Sequence, residues 1–179
     1  MGMIRKFNSG SLWQEQRVFG SAHLSNPAEP ADTALPTRSF AEGFGYVSTN
    51  ASIVGTTPTD SLLRSWLGRA GFSVTAQPTL DEMIDELAAD PDNTGIVFVE
   101  IESLGGITQT IEALLEIRKI APAVTLVLLS EKATVSEFGT ERLAICDATV
   151  KSPIGWKSLV EALEQAKTNN KIWQDRRLS

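Results

Sequence analysis

The chain is short of the side chains from which most active sites are built. It has a single histidine, His23, and a single cysteine, Cys146. A serine triad, a zinc site of several imidazoles and a histidine phosphotransfer helix each need a positioned imidazole. His23 sits instead in SAHLSNPAEPADTALP, a stretch whose composition holds no side chain in fixed geometry. One cysteine excludes an intramolecular disulfide and any multi-cysteine metal cluster. Its neighbours Ile145 and Ala148 mark Cys146 as a small buried hydrophobe. Positive charge is also scarce: 16 Lys and Arg against 22 Asp and Glu leave a net charge of -6. The basic pairs Arg5-Lys6 and Arg176-Arg177 stand near the two ends, so no phosphate-backbone footprint forms and nucleic acid is not an expected partner. No apolar run approaches the roughly 20 residues of a membrane span, and MGMIRKFNSG has no signal-peptide core. A cytoplasmic protein without a membrane partner is expected.

What is present is the composition of a globular domain, with 42% hydrophobic and 21% charged residues among 179. Residues 1–19 contain SLWQEQRVF, which places Leu12, Gln16 and Phe19 on one helical stripe beside Trp13. This arm either docks on its own domain or engages a partner. Residues 20–44 are rich in Pro, Ala, Ser and Thr without an apolar period, and are expected to be an extended linker. A folded domain is expected over 45–168, followed by a C-terminal tail at 169–179.

Within the domain, short apolar runs alternate with helical periodicity. Ala51 to Val54 is a first strand. Leu62, Leu63, Trp66, Leu67 and Ala70 stripe a helix that Gly71 ends, and Phe72 to Ala76 is a second strand. Thr79 and Glu82 stand at capping-box spacing ahead of Met83, Ile84 and Leu87. Ile96 to Val99 is apolar without alternation, as a central parallel strand covered on both faces should be. A third helix carries Ile111, Leu114, Leu115 and Ile117, and Pro122 stops it before a fourth strand, Val124 to Leu129. A weaker fourth helix is expected over about 135–145. A fifth strand at Ala148 to Val150 leads into a fifth helix striped by Ile154, Trp156, Leu159, Ala162, Leu163 and Ala166. The order implies an α/β fold: a doubly wound, five-stranded parallel sheet in three α/β/α layers, of flavodoxin-like type. The core is expected from Ile53, Val97, Val99, Leu126 and Leu128, with Trp66 and Trp156.

Four motifs in this order resemble the receiver domains of response regulators over about residues 50–168: SLLRSWLGRAGFSV, GIVFVEIESLGG, TLVLLSEKA and LAICDATVKSPIGWKSLVEAL. The resemblance implies a phosphoacceptor at the end of the third strand, where this chain has Glu100. It implies an acidic, Mg²⁺-holding pair at the end of the first strand, where it has Val54 and Gly55. The family's hydroxyl position carries Ser130. Its lysine position falls on Ser152 if Pro153 is the family's proline, or on Lys151 after a slip of one residue. The switch aromatic falls on Thr149. Neither Val54 nor Gly55 offers a side-chain ligand to a hard cation, so phosphoryl transfer is not expected. No catalytic residue, metal or cofactor is expected.

Glu100 has two readings: a solvated carboxylate at a strand end, or a fixed charge standing in for phosphoaspartate and drawing on Ser130 and Lys151. Glu102 reads as loop charge. The resemblance implies a degenerate, non-enzymatic member, a pseudo-receiver that binds protein in signalling or assembly. Its partner would be a kinase, a response regulator, an assembly scaffold or a second copy, met through the fourth helix, fifth strand and fifth helix. Glu141 and Lys157 are expected on that face. A rival reading takes GTTPTDS for the phosphate loop of a flavodoxin-like flavin or nucleotide binder. Thr56, Thr57 and Thr59 would hold the phosphate, although Pro58 removes a backbone donor.

Overall fold

The computed structural model describes residues 43, 45–56, 60–93 and 95–178. The N-terminal arm, almost all of the linker, and Thr57 to Thr59 of the rival phosphate loop lie outside them. The elements are β1 (Asn50–Val54), α1 (Asp60–Arg69), β2 (Ser73–Gln77), α2 (Leu80–Ala89), β3 (Ile96–Glu100), α3 (Ile107–Ile120), β4 (Thr125–Ser130), β5 (Ala148–Lys151) and α4 (Trp156–Arg177). All strand pairs are parallel, in the order β2-β1-β3-β4-β5. This is the flavodoxin-like α/β fold that the alternation of patterns implied.

Every residue of β3 and β4 is buried, because helices cover both faces of the sheet and leave no polar side to alternate with. Successive side chains divide between two cores. Ile53, Phe98, Val127, Leu129 and Val150 meet Leu63 and Leu67 of α1 and Leu159 and Leu163 of α4 on one face. Val54, Val97, Val99, Leu126 and Leu128 meet Met83 and Leu87 of α2 and Leu114 and Ile117 of α3 on the other. Full burial of each Leu, Ile or Val contributes about 1.5–3 kcal/mol before ordering entropy is charged. All the strand residues expected in the core are there, while Trp66 and Trp156 are half-buried against the first cluster. The Arg69 guanidinium lies over the Trp156 ring, 5.6 Å from its centre.

Helix ends follow their local chemistry. Thr79 caps α2 by accepting a hydrogen bond from the Glu82 N–H at 3.3 Å, as its spacing suggested. After α1 the chain turns at Gly71, whose φ of +93° suits glycine, and the Phe72 N–H returns to the Leu67 carbonyl at 2.9 Å.

Two differences from the expected layout matter for function. No helix forms over 135–145, so the described residues contain four helices where the alternation suggested five. Instead the backbone of Glu137 pairs with Thr149 in both directions, at 2.7 and 2.9 Å, and Ser136 Oγ accepts the Lys151 N–H at 3.2 Å. The segment spends on the edge of β5 the backbone groups a helix would need, which protects an otherwise open strand edge. Only a short turn survives at Arg142, whose carbonyl accepts from the Cys146 N–H at 2.9 Å.

The second difference is that α4 runs to Arg177, through residues expected to be a tail. A buried polar network explains the extension. Arg118 Nη2 stands 2.7 Å from Asp147 Oδ1, with both side chains almost fully buried. Asp147 Oδ2 also accepts from the Leu126 N–H at 2.7 Å. From α4, Asn169 donates to the Asp147 carbonyl at 2.7 Å and Asn170 to the Val124 carbonyl at 2.8 Å. Arg118 lies over the Trp173 ring at 5.5 Å. A buried ion pair is better tolerated when its remaining lone pairs are satisfied, and from α4 the Asn170 amide also donates to Asp147 Oδ2 at 3.3 Å.

Candidate functional site

The carboxyl ends of parallel strands are where open α/β sheets bring loops together, and every receiver position inferred from sequence lies at or next to that edge. Val54 is completely buried in the second core. Gly55 follows with φ +87°, and a β-carbon added there would lie 2.5 Å from Ser103 Oγ and 3.1 Å from the Glu100 carbonyl oxygen. Ser103 therefore fills the space that a side chain at Gly55 would need. It is held by donating to the Glu100 carbonyl at 3.2 Å and by accepting the Thr56 N–H at 3.1 Å. That last bond also draws the Thr56 N–H of the rival phosphate loop away from any ligand.

Glu100 is not the solvated strand-end carboxylate of the first reading, since only 2% of it is exposed. Its Oε2 accepts the Ser103 N–H at 2.7 Å, while its Oε1 is buried with no hydrogen-bond donor. Nor does it draw on Ser130. The Ser130 hydroxyl donates to Glu102 Oε1 at 2.7 Å, and Glu102 Oε2 accepts the Glu131 N–H at 3.1 Å. Ser130 Oγ in turn accepts the Ala133 N–H at 3.2 Å. Glu102, expected to be loop charge, is the carboxylate that ties the β3–α3 loop to the segment after β4. The spacing Glu100-Ile101-Glu102 was the available signal: two carboxylates one residue apart beyond a buried strand couple strongly.

The environments push the two acids apart. Burial raises the Glu100 carboxyl above the usual glutamate range against the Ser103 hydrogen bonds, and neighbouring Glu102 raises it further. Burial works the same way on Glu102, but hydrogen bonds from Ser130, the Glu131 N–H and Glu100 outweigh it and hold its carboxyl below that range.

The other inferred positions divide between the two sides of β5. Lys151 is exposed, with its ammonium 3.4 Å from the Thr134 carbonyl. Ser152 is buried, and its N–H donates to the Ser130 carbonyl at 2.9 Å. Thr149 is buried and lines a cleft of about 670 Å³ with Glu102, Ser130, Lys132, Thr134 and Arg142. This cleft opens between α3 and the irregular segment that stands where a helix was expected. Glu137 and Arg142 pair across its far side at 2.9 Å. Ile107 stands at its mouth, and Ile111 and Leu115 continue an exposed apolar stripe along α3 at helical spacing.

The divalent cation implied by the resemblance does not fit these residues. Val54 faces the core, Gly55 has no room for a ligand, and Glu100 is buried with its Oε2 already taken by the Ser103 N–H. Among the described residues no group of three or more His, Cys, Asp or Glu is placed to hold a metal. No helix among them is long and apolar enough to cross a membrane.

Solved structures of receiver domains share this fold. A response regulator from Thermotoga maritima matches with a TM-score of 0.51 at 17% identity, covering 68% of this chain and 99% of that one. A CheY-like receiver domain protein from Methanospirillum hungatei JF-1 matches at 0.51 and 16%, covering 70% and 98%. A receiver domain protein from Clostridium thermocellum matches at 0.52 and 15%, covering 69% and 97%. No protein-family model and no curated protein matches the chain. The chain thus has the fold of a CheY-like receiver domain, at an identity that speaks for the fold alone.

Proposed function

We propose that this chain is a pseudo-receiver: a non-enzymatic module in cytoplasmic signalling or assembly that binds a protein partner without being phosphorylated. One observation carries the reading. Glu102 already holds the Ser130 hydroxyl and the Glu131 N–H, donors that lie beside the acceptor position and would otherwise be free for an incoming anion. The acceptor position itself is buried, with its Oε2 already accepting the Ser103 N–H. Among the described residues no group of carboxylates is placed to hold a counter-ion that would offset the charge of a transferring phosphoryl group.

Without a reversible charge there is no differential interaction to shift a population, so one conformation is held continuously. The partner is a kinase, a response regulator, an assembly scaffold or a second copy of the chain. The binding face is the cleft with segment 131–147, β5 and the start of α4, which modifies the helix-bearing face expected from sequence. Glu141 and Lys157 are exposed beside it. Charge reversal at either residue should weaken partner binding, or self-association in sedimentation, while leaving the melting midpoint nearly unchanged, because exposed charges contribute little to stability. Unchanged binding in both variants would rule out this face.

A further inference from the structure

We propose that the cleft and the apolar stripe of α3 receive the N-terminal arm of a second copy of this chain, so that the protein assembles with itself by exchanging arms. The inference rests on the cleft being the binding face and names its occupant.

Among the described residues seven large hydrophobic side chains are exposed, and four of them stand on the walls of the cleft. Ile107, Ile111 and Leu115 run along α3 and are 39%, 39% and 45% exposed. Val135, 62% exposed, lies between the cleft-lining residues Thr134 and Glu137. The helix expected over 135–145 would stand beside α3, but the backbone there is spent on the edge of β5, which leaves the stripe uncovered. Deeper in, Ile101, Leu128 and Ile145 line a space of about 670 Å³. It has room for more than one large side chain.

The arm has matching chemistry. Leu12 and Phe19 share a helical stripe with Trp13 beside them, which supplies large anchors at the spacing with which a helix enters an apolar groove. The charges also complement each other. On the two walls the pairs Glu116–Lys119 and Glu137–Arg142 cancel, and Glu112, Glu131 and Glu141 then outnumber Lys132. Residues 1–19 are the reverse, with Arg5, Lys6 and Arg17 against Glu15 in a chain whose net charge is -6.

The placement of the two ends favours a second copy. Tyr46, where the chain enters the fold, belongs to the first core, and its hydroxyl donates to the Leu163 carbonyl of α4 at 2.9 Å. The cleft is built on Ile101 and Leu128 of the second core, so the sheet stands between the root of the arm and the cleft of the same chain. Residues 20–44 span about 25–30 Å as a flexible coil and about 80 Å when extended, enough to cross to a neighbouring copy. Docking of the arm needs no change of charge on the domain, so the contact is held continuously.

Sedimentation equilibrium of the full chain tests this. The parent should self-associate, and more weakly as salt rises, because the arm is basic and the walls are acidic. Trp13→Glu removes an anchor of the arm, and Ile111→Lys sets a like charge where the arm lies. Each should weaken association at least about tenfold while keeping the circular dichroism of the parent. Mixed together, the two variants should recover part of the association, since the arm of the Ile111→Lys chain still finds the intact cleft of the Trp13→Glu chain. A mixture no tighter than its components would overturn the exchange of arms. So would a parent that is monomeric at every concentration, or one whose association is indifferent to Trp13→Glu. A monomeric parent would leave the pseudo-receiver reading standing, because the charge reversals at Glu141 and Lys157 test that reading against a different protein.

Discussion

Replacing Gly55 by aspartate restores, on paper, half of the acidic pair that the receiver resemblance implies, and the structure says that it should fail. Two costs add. At φ +87° a residue with a β-carbon is strained by about 1–2 kcal/mol. Its β-carbon would also stand 2.5 Å from Ser103 Oγ, so Ser103 must move and give up its bonds to the Glu100 carbonyl and the Thr56 N–H. Each bond is worth about 0.5–1.5 kcal/mol. The sum is about 2–5 kcal/mol, a large part of the about 5–15 kcal/mol that stabilises a typical domain. Urea denaturation gives the difference directly. Gly55→Ala should show most of the same loss, because its β-carbon meets the same oxygen. Ser103→Gly abolishes the same two bonds, so adding it to Gly55→Asp should cost little more, the two changes being non-additive. A cation that binds only the native state raises stability with its concentration, so Mg²⁺ in the denaturation series should move the midpoint of none of these variants. A Gly55→Asp protein within about 0.5 kcal/mol of its parent, or one stabilised by Mg²⁺, would refute the closure of this pocket.

Arg118→Met leaves Asp147 buried without its cation and should cost about 3–5 kcal/mol by chemical denaturation. A loss under about 1 kcal/mol would mean that the Asn170 and Leu126 N–H bonds suffice for the carboxylate. Val97→Asp places a charge in the second core and should cost several kcal/mol, of the order that unfolds a marginal domain. Melting within about 2 °C of the parent would contradict the placement of β3.

The parts of the fold legible in the sequence were those governed by local pattern. The unbroken apolar runs of β3 and β4, the Thr79–Glu82 cap and the Gly71 turn all appear where their chemistry put them. Segment 135–145 was misread because its fate is decided at long range: the open edge of β5 claims Glu137 and Ser136, and no helical periodicity reports that claim. The extension of α4 was missed for a related reason. Asn169 and Asn170 look like solvent-facing residues until the buried carbonyls of Asp147 and Val124, distant in sequence, need their amides. At the site, position could be read but partnership could not. Glu100 and Ser130 stand at the ends of β3 and β4 as expected, yet the link between the two strands' ends runs through Glu102, because a glutamate two residues into the loop reaches the hydroxyl and the following N–H together.

Phosphorylation-independence is the center of this account, and intact-mass analysis after incubation with a small-molecule phosphodonor and Mg²⁺ tests it most directly. The mass is expected to stay unchanged, because Glu102 occupies the donors beside the acceptor, Glu100 is buried with its Oε2 taken by the Ser103 N–H, and Gly55 leaves no room for a ligand to the metal. An acid-labile gain of one phosphoryl group on Glu100 would contradict it.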